Sequence, residues 1–105
     1  MGNPWRGDVP LEIDGKTHVM RLTLGALAEL EERLETGSLV ELVERFETNQ
    51  FSSRDVLDLL AAGLSGGQCD VTVNDLLHAE ISGGPLAAAR AAAELLARAF
   101  VVPQS

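Results

Sequence analysis

The stretch VPLEIDGKTHVMRL, residues 9–22, decides the start of the fold. Val9, Leu11 and Ile13 alternate with polar or edge residues, and so do His18, Met20 and Leu22, which is the period of a half-buried strand. Between the two runs lies Asp14-Gly15, a pair suited to a two-residue hairpin turn in which both positions need φ > 0. A turn of that length fixes the register. Ile13 faces Lys16, Leu11 faces His18 and Val9 faces Met20 toward the core. Asp8–Arg21, Pro10–Val19 and Glu12–Thr17 face the other way, with Asp8–Arg21 an opposite-charge pair. Pro10 falls at a position whose missing donor points away from the partner strand. The first strand is therefore expected to be a sheet edge, or unpaired at that point. The hairpin spans residues 7–22.

Helices are expected beyond it. Thr23 can cap one running to about residue 35, with Leu24, Leu27, Leu30 and Leu34 on one face and Gly37 as its left-handed stop. Ser38 can cap a second, with Leu39, Leu42, Val43 and Phe46 inward and Glu41, Glu44, Arg45 and Glu47 outward. After a loop at residues 49–51, Ser52 with Asp55 resembles a capping box. The helix it opens carries Val56, Leu59, Leu60 and Leu64 and stops at Gly66-Gly67. Thr72 with Asp75 repeats the pattern before a short helix with Val73, Leu76, Leu77 and Ile81 as its apolar stripe. Ser82-Gly83-Gly84 breaks the chain, and Pro85 suits the first turn of a last helix that runs to about Phe100. Leu86, Ala89, Ala93, Leu96 and Phe100 form its expected stripe, and Arg90, Glu94 and Arg98 form an i,i+4 ladder. Residues 101–105 read as a tail. The expected architecture is α+β: an N-terminal β-hairpin followed by about five helices, in one domain over residues 1–105.

The 105 residues are enough to bury about 65% of the unfolded surface in a single core. Sixteen acids against eight bases leave a net charge of −8, which argues against nucleic acid and anionic membrane as partners. No apolar run approaches the ~18 residues of a membrane span. The opening residues 1–6 hold no apolar run that would serve as a secretory leader. With Cys69 alone, no internal disulfide is possible and a reducing, cytoplasmic setting is expected.

Groups that could carry chemistry are few. His18 falls on a core-facing strand position and reads as structural. Cys69 and His78 could form a dyad, and together with Asp70 and Glu80 a metal site, but their spacing matches no zinc pattern. Gly66-Gly67 and Gly83-Gly84 lack the Lys-Ser/Thr of a phosphate loop and read as punctuation. Gly25, in the first turn of a helix, is either tolerated there or marks close approach to the hairpin. The spacing of the second and third expected helices is too long for a helix-turn-helix. No catalytic, cofactor-binding or metal-ligating residue is assigned, and no enzyme activity or cofactor is expected. Seven acids and two arginines fill residues 29–47. They form either a solvated face or a docking rim, with Glu29, Glu32, Glu41 and Glu44 as candidate contacts. Trp5 either covers the end of the sheet or enters a partner.

Residues 21–64 are more specific than these physical requirements. The chain resembles the small family of gene-transfer-agent and prophage tail proteins of alphaproteobacteria. The resemblance rests on Asn-Pro-x-Arg-Gly at residues 3–7 and Arg-Leu-Thr-Leu-Gly-Ala-Leu-Ala-Glu-Leu-Glu at residues 21–31. It continues with Leu-x-x-Gly-Leu-x-Gly-Gly at residues 60–67 and the Gly-Gly before the alanine/arginine-rich last helix. It implies a non-enzymatic role in tail morphogenesis, and no catalytic residues come with it. Family members are described as phage tail tube proteins and are also grouped with tail assembly chaperones, which bind the tape-measure protein before the tube forms around it. One hairpin against some five helices favours the chaperone, with an apolar groove between helices and an acidic rim holding the tape measure or tube subunit. The alternatives are a tail tube or tail-joining subunit incorporated in a phage-like particle, and a small Cys69/His78 metal protein or enzyme. A homo-oligomer joined through the alanine-lined last helix is also open.

Overall fold

The structure, a computed structural model, describes residues 8–34 and 38–99. Strands β1 (Val9–Ile13) and β2 (Lys16–Met20) form an antiparallel hairpin. Five helices follow: α1 (Leu24–Arg33), α2 (Leu39–Glu47), α3 (Ser53–Gly66), α4 (Val73–His78) and α5 (Gly84–Ala99). The register is the one the Asp14-Gly15 turn dictates, from Ile13↔Lys16 to Val9↔Met20. Both turn residues have positive φ, 50° at Asp14 and 82° at Gly15. Val9, Leu11, Ile13 and Met20 are buried. The Arg21 guanidinium donates to Asp8 at 2.6 Å, and that hydrogen bond, reinforced by the carboxylate's charge, raises the Arg21 pKa.

Pro10 is exposed on the outer edge of β1, as its missing donor requires. Farther along, the same edge is covered by the segment before α5. Ile81 bridges Ile13, Ser82 N–H donates to the Glu12 carbonyl at 3.2 Å, and Asp14 N–H donates to the Glu80 carbonyl at 2.8 Å. Ile81 therefore belongs to this bridge and not to the helical stripe expected of it.

Helix α3 is the hub, touching α1, α4, α5 and β2. Both expected capping boxes are present. Ser52 and Asp55 exchange side-chain-to-backbone bonds at the start of α3, and Thr72 and Asp75 do so at α4. Aspartate reaches the cap N–H as glutamate ordinarily does. The core is Leu59, Leu60 and Leu64 of α3 with Leu30 of α1, Leu42 of α2, Leu95 of α5 and Met20 of β2.

Three helical faces differ from expectation. In α1 the buried side chains are Ala26 and Leu30, followed by Leu34 at the C-cap, whereas Leu24 is 86% exposed. Leu24 is the first helical residue, and the face toward α3 is set by the i,i+4 row through Ala26. The helix ends at Arg33, because Leu34 is already extended at ψ 121°. The expected stop at Gly37 lies outside the described residues. In α4, Leu76 is buried and Leu77 exposed. In α5 the buried row is Ala88, Ala91, Ala92, Leu95 and Leu96, while Leu86 and Ala93 are exposed and Ala89 is half-buried. Alanine on every side leaves the inward face of such a helix undetermined by periodicity. Close approach of Leu95 to Gly63 accompanies the observed choice, since a Cβ at Gly63 would lie 2.7 Å from Leu95 Cδ1. Phe100 lies outside the described residues.

The paired glycines are more than punctuation. A Cβ on Gly66 would sit 1.9 Å from the Arg21 carbonyl oxygen, and one on Gly67 would sit 2.0 Å from that of Val19. Arg21 N–H donates to the Gly63 carbonyl at 2.8 Å, so the end of α3 lies directly on the β2 backbone. Gly25 meets only the Thr23 hydroxyl, at 3.9 Å, and makes no close approach to the hairpin.

Candidate binding surface

The acidic residues singled out by the sequence lie on α1 and α2. Thr23 caps α1 by accepting from Ala26 N–H, and Ser38 caps α2 by accepting from Glu41 N–H. These caps set the helical phase that leaves Glu29, Glu32, Glu41 and Glu44 exposed. Ser65 Oγ donates to Glu29 at 3.5 Å, so one of the four carboxylates already has a partner. Trp5 lies outside the described residues.

Arg45, expected outward, turns inward. Its guanidinium holds both carboxylate oxygens of Asp55, at 3.0 and 3.1 Å, while Ser52 N–H also donates to Asp55. Burial pushes the Asp55 carboxyl up, but the hydrogen bonds from Arg45 and Ser52 and the guanidinium charge outweigh it. The carboxyl settles below the ordinary carboxylate range. One turn on, Asp58 is buried and receives Arg54 Nε at 3.2 Å. Asp75 also lies low, held by the Thr72 backbone N–H and then its hydroxyl.

These pairs surround an open hollow between the end of α1, residues 50–52 and the start of α3. Leu34, Arg33, Arg45, Arg54, Asp55 and Asp58 line it. The expected groove between helices is thus lined largely by charge. The large exposed apolar side chains are Leu24, Val40, Leu77 and Leu86, one each on α1, α2, α4 and α5. Sequence reading had the Ser52/Asp55 cap but missed Arg45 as its partner. The Asp-Val-Leu-Asp spacing at residues 55–58 on an otherwise apolar helix was the available signal, because a carboxylate buried there needs a cation.

Cys69 and His78 do not converge. The Cys69 thiol donates to the Val19 carbonyl at 3.6 Å and lines a hollow beside Glu29, Arg33 and Asp70. His78 is exposed at the end of α4 and lines a different hollow, with His18 and Asp75. Among the described residues, no group of three or more His, Cys, Asp or Glu side chains is placed to hold a metal ion. None of the described helices is long and apolar enough to cross a membrane.

Among known proteins, the family model described as "Phage tail tube protein, GTA-gp10" matches residues 6–101. No curated protein and no solved structure matches the chain. That match spans the hairpin, all five helices and the arginine-lined hollow, and the chain belongs to the phage tail tube protein GTA-gp10 family.

Proposed function

We propose that the chain is a non-enzymatic tail morphogenesis protein of a gene transfer agent or prophage, acting as a tail assembly chaperone that binds the tape-measure or tube protein. One observation carries the choice of chaperone: the described β-structure is a single hairpin of five-residue strands with one added bridge, against five helices. A tube wall built by sheet extension needs longer, free strand edges. Here the outer edge of β1 lacks a donor at Pro10 and is covered at Ile13, while β2 lies against the end of α3. Glu29, Glu32, Glu41, Glu44 and Trp5 are the proposed contacts to a basic stretch of the partner.

The second reading is a tail tube or tail-joining subunit that stays in the particle. The description of the matching family favours it. Two measurements on one preparation separate the readings: mass spectrometry of purified particles and co-purification with the tape-measure protein. A chaperone is absent from finished particles and captured with the tape measure before assembly. Stoichiometric presence in the particle makes the chain a subunit. A Cys69/His78 enzyme or metal role predicts loss of function in Cys69→Ser, and unchanged function in that variant disposes of it.

A further inference from the structure

We propose that α2 is a displaceable strap over a helix-docking site at the start of α3, and that an amphipathic helix of a partner protein takes its place there. The proposal rests on the chaperone reading only for the identity of that partner. Helix α2 is poorly equipped to hold itself together. It has nine residues, below the roughly 12–15 at which an isolated helix becomes marginal in water. Glu41, Glu44 and Glu47 follow one another at i,i+3 spacing, where like charges repel. Glu44 and Glu47 also lie in its last turn, at the negative end of the helix dipole. What holds α2 is its inward side: Leu42 is wholly buried, and the Arg45 guanidinium grips Asp55 at 3.0 and 3.1 Å. Leu39, Val43 and Phe46 pack half-buried against the core beside them.

The receiving half is built without α2. Ser52 N–H donates to the Asp55 carboxylate at 3.0 Å, and Asp55 N–H donates to Ser52 Oγ at 3.1 Å. This capping box fixes the carboxylate from α3's own side. Departure of α2 uncovers that carboxylate together with the apolar patch that Leu42 fills. A preformed carboxylate beside an apolar patch selects a helix that brings an aliphatic residue and, three positions on, an arginine, the spacing of Leu42 and Arg45. Helix α2 is the occupant while the chain is alone, and a partner helix carrying the same pair is its competitor. Tethered at both ends, α2 competes at an effective concentration in about the millimolar range. It therefore rejects mismatched helices and yields to a better one.

The probe is a labelled peptide of residues 38–51, read by fluorescence anisotropy against the full chain up to about 1 mM. The parent chain is expected to bind it weakly, because α2 fills the site. Arg45→Gln in the chain loosens the strap, leaves the site intact and is expected to tighten peptide binding about tenfold. Leu42→Ala in the chain is expected to tighten it further, and circular dichroism verifies that each variant remains folded. A peptide carrying Leu42→Asp is expected not to bind. One carrying Arg45→Gln is expected to bind the Arg45→Gln chain about tenfold more weakly than the unaltered peptide does, a difference that vanishes when the chain also carries Asp55→Asn. Equal affinity for the parent, Arg45→Gln and Leu42→Ala chains overturns the proposal, since the peptide then binds elsewhere. So does absence of binding to a folded Leu42→Ala chain, or a Leu42→Asp peptide that binds as well as the unaltered one. A Leu42→Ala chain that unfolds as a whole shows that α2 is not separable, and overturns it too. The readout contains no tape-measure or tube protein, so it can fail while the chaperone reading survives, and stand while that reading fails.

Discussion

The end of α3 and the whole of α2 represent two ways of attaching a helix. Around residues 63–67, α3 lies so close to β2 that backbone meets backbone, and the approach requires glycine at two successive positions. Helix α2 is attached by separate side-chain fastenings. Leu42 is wholly buried, Arg45 grips Asp55, and Phe46 stacks on Phe51 with ring centroids 4.4 Å apart. It meets no other element as broadly as α3 meets α1, α4, α5 and β2. Dense backbone contact makes the hairpin and α3 one cooperative unit. Discrete fastenings let α2 open at lower free energy than the rest.

The sharpest way to break the first region is to add one carbon. Gly66 and Gly67 do not have positive φ, so alanine suits their backbone conformation. At Gly66, within α3, helix propensity alone would favour alanine by up to about 1 kcal/mol. The carbonyl oxygens of Arg21 and Val19 reverse that sign, because neither can rotate away. Gly66→Ala and Gly67→Ala are each expected to destabilise by about 3 kcal/mol or more, read from urea midpoints. A loss below about 0.5 kcal/mol would contradict the close approach of α3 to β2.

Leucine deletions sharpen the contrast. Leu60 and Leu42 are both wholly buried, one in each region. Leu60→Ala is expected to cost about 2–5 kcal/mol of global stability. Leu42→Ala is expected to act mainly on α2, speeding amide hydrogen exchange at residues 39–47 well before α3 loses protection. Equal acceleration across both helices would show that α2 does not open separately.

Acid should loosen α2 first. The folded-state pKa of Asp55 is depressed, so its contribution is present above the unfolded carboxylate pKa of about 3.9 and is lost as pH falls through the folded value. Asp55→Asn removes the charge partner of Arg45 and is expected to cost about 1–2 kcal/mol at neutral pH, a range that discounts for the partial exposure of Arg45. The variant should also lose stability less steeply below about pH 5 than the parent. An unchanged acid limb would show that other carboxylates carry it.

How much the sequence revealed follows the same division. The hairpin register was legible residue by residue, since a two-residue turn and a period-2 pattern leave one solution. Both aspartate capping boxes were legible because a cap depends on residues three apart. The face of α5 was not, because alanine is compatible with any side and the decision lies with Gly63 on another helix. Gly66-Gly67 was legible as a helix stop but not as a contact, since local sequence does not record what lies across from it. The acidic face was visible in the spacing of α1 and α2. The arginine-lined hollow was not, because Arg33, Arg45 and Arg54 come from three helices and meet only after folding.

Gly25 provides the smallest effect and the cleanest control. It is helical, without positive φ, and a Cβ there would meet nothing nearer than the Thr23 hydroxyl at 3.9 Å. Gly25→Ala should therefore stabilise the protein by about 0.5–1 kcal/mol, through helix propensity and reduced freedom of the unfolded chain. The same substitution made at Gly66 is expected to have the opposite sign. Both residues lie in helices, so propensity does not produce that reversal, and the contacts across from Gly66, above all with the Arg21 carbonyl, distinguish the two sites. If Gly25→Ala also destabilises, the space beside Gly25 is not open, and its role as a control fails.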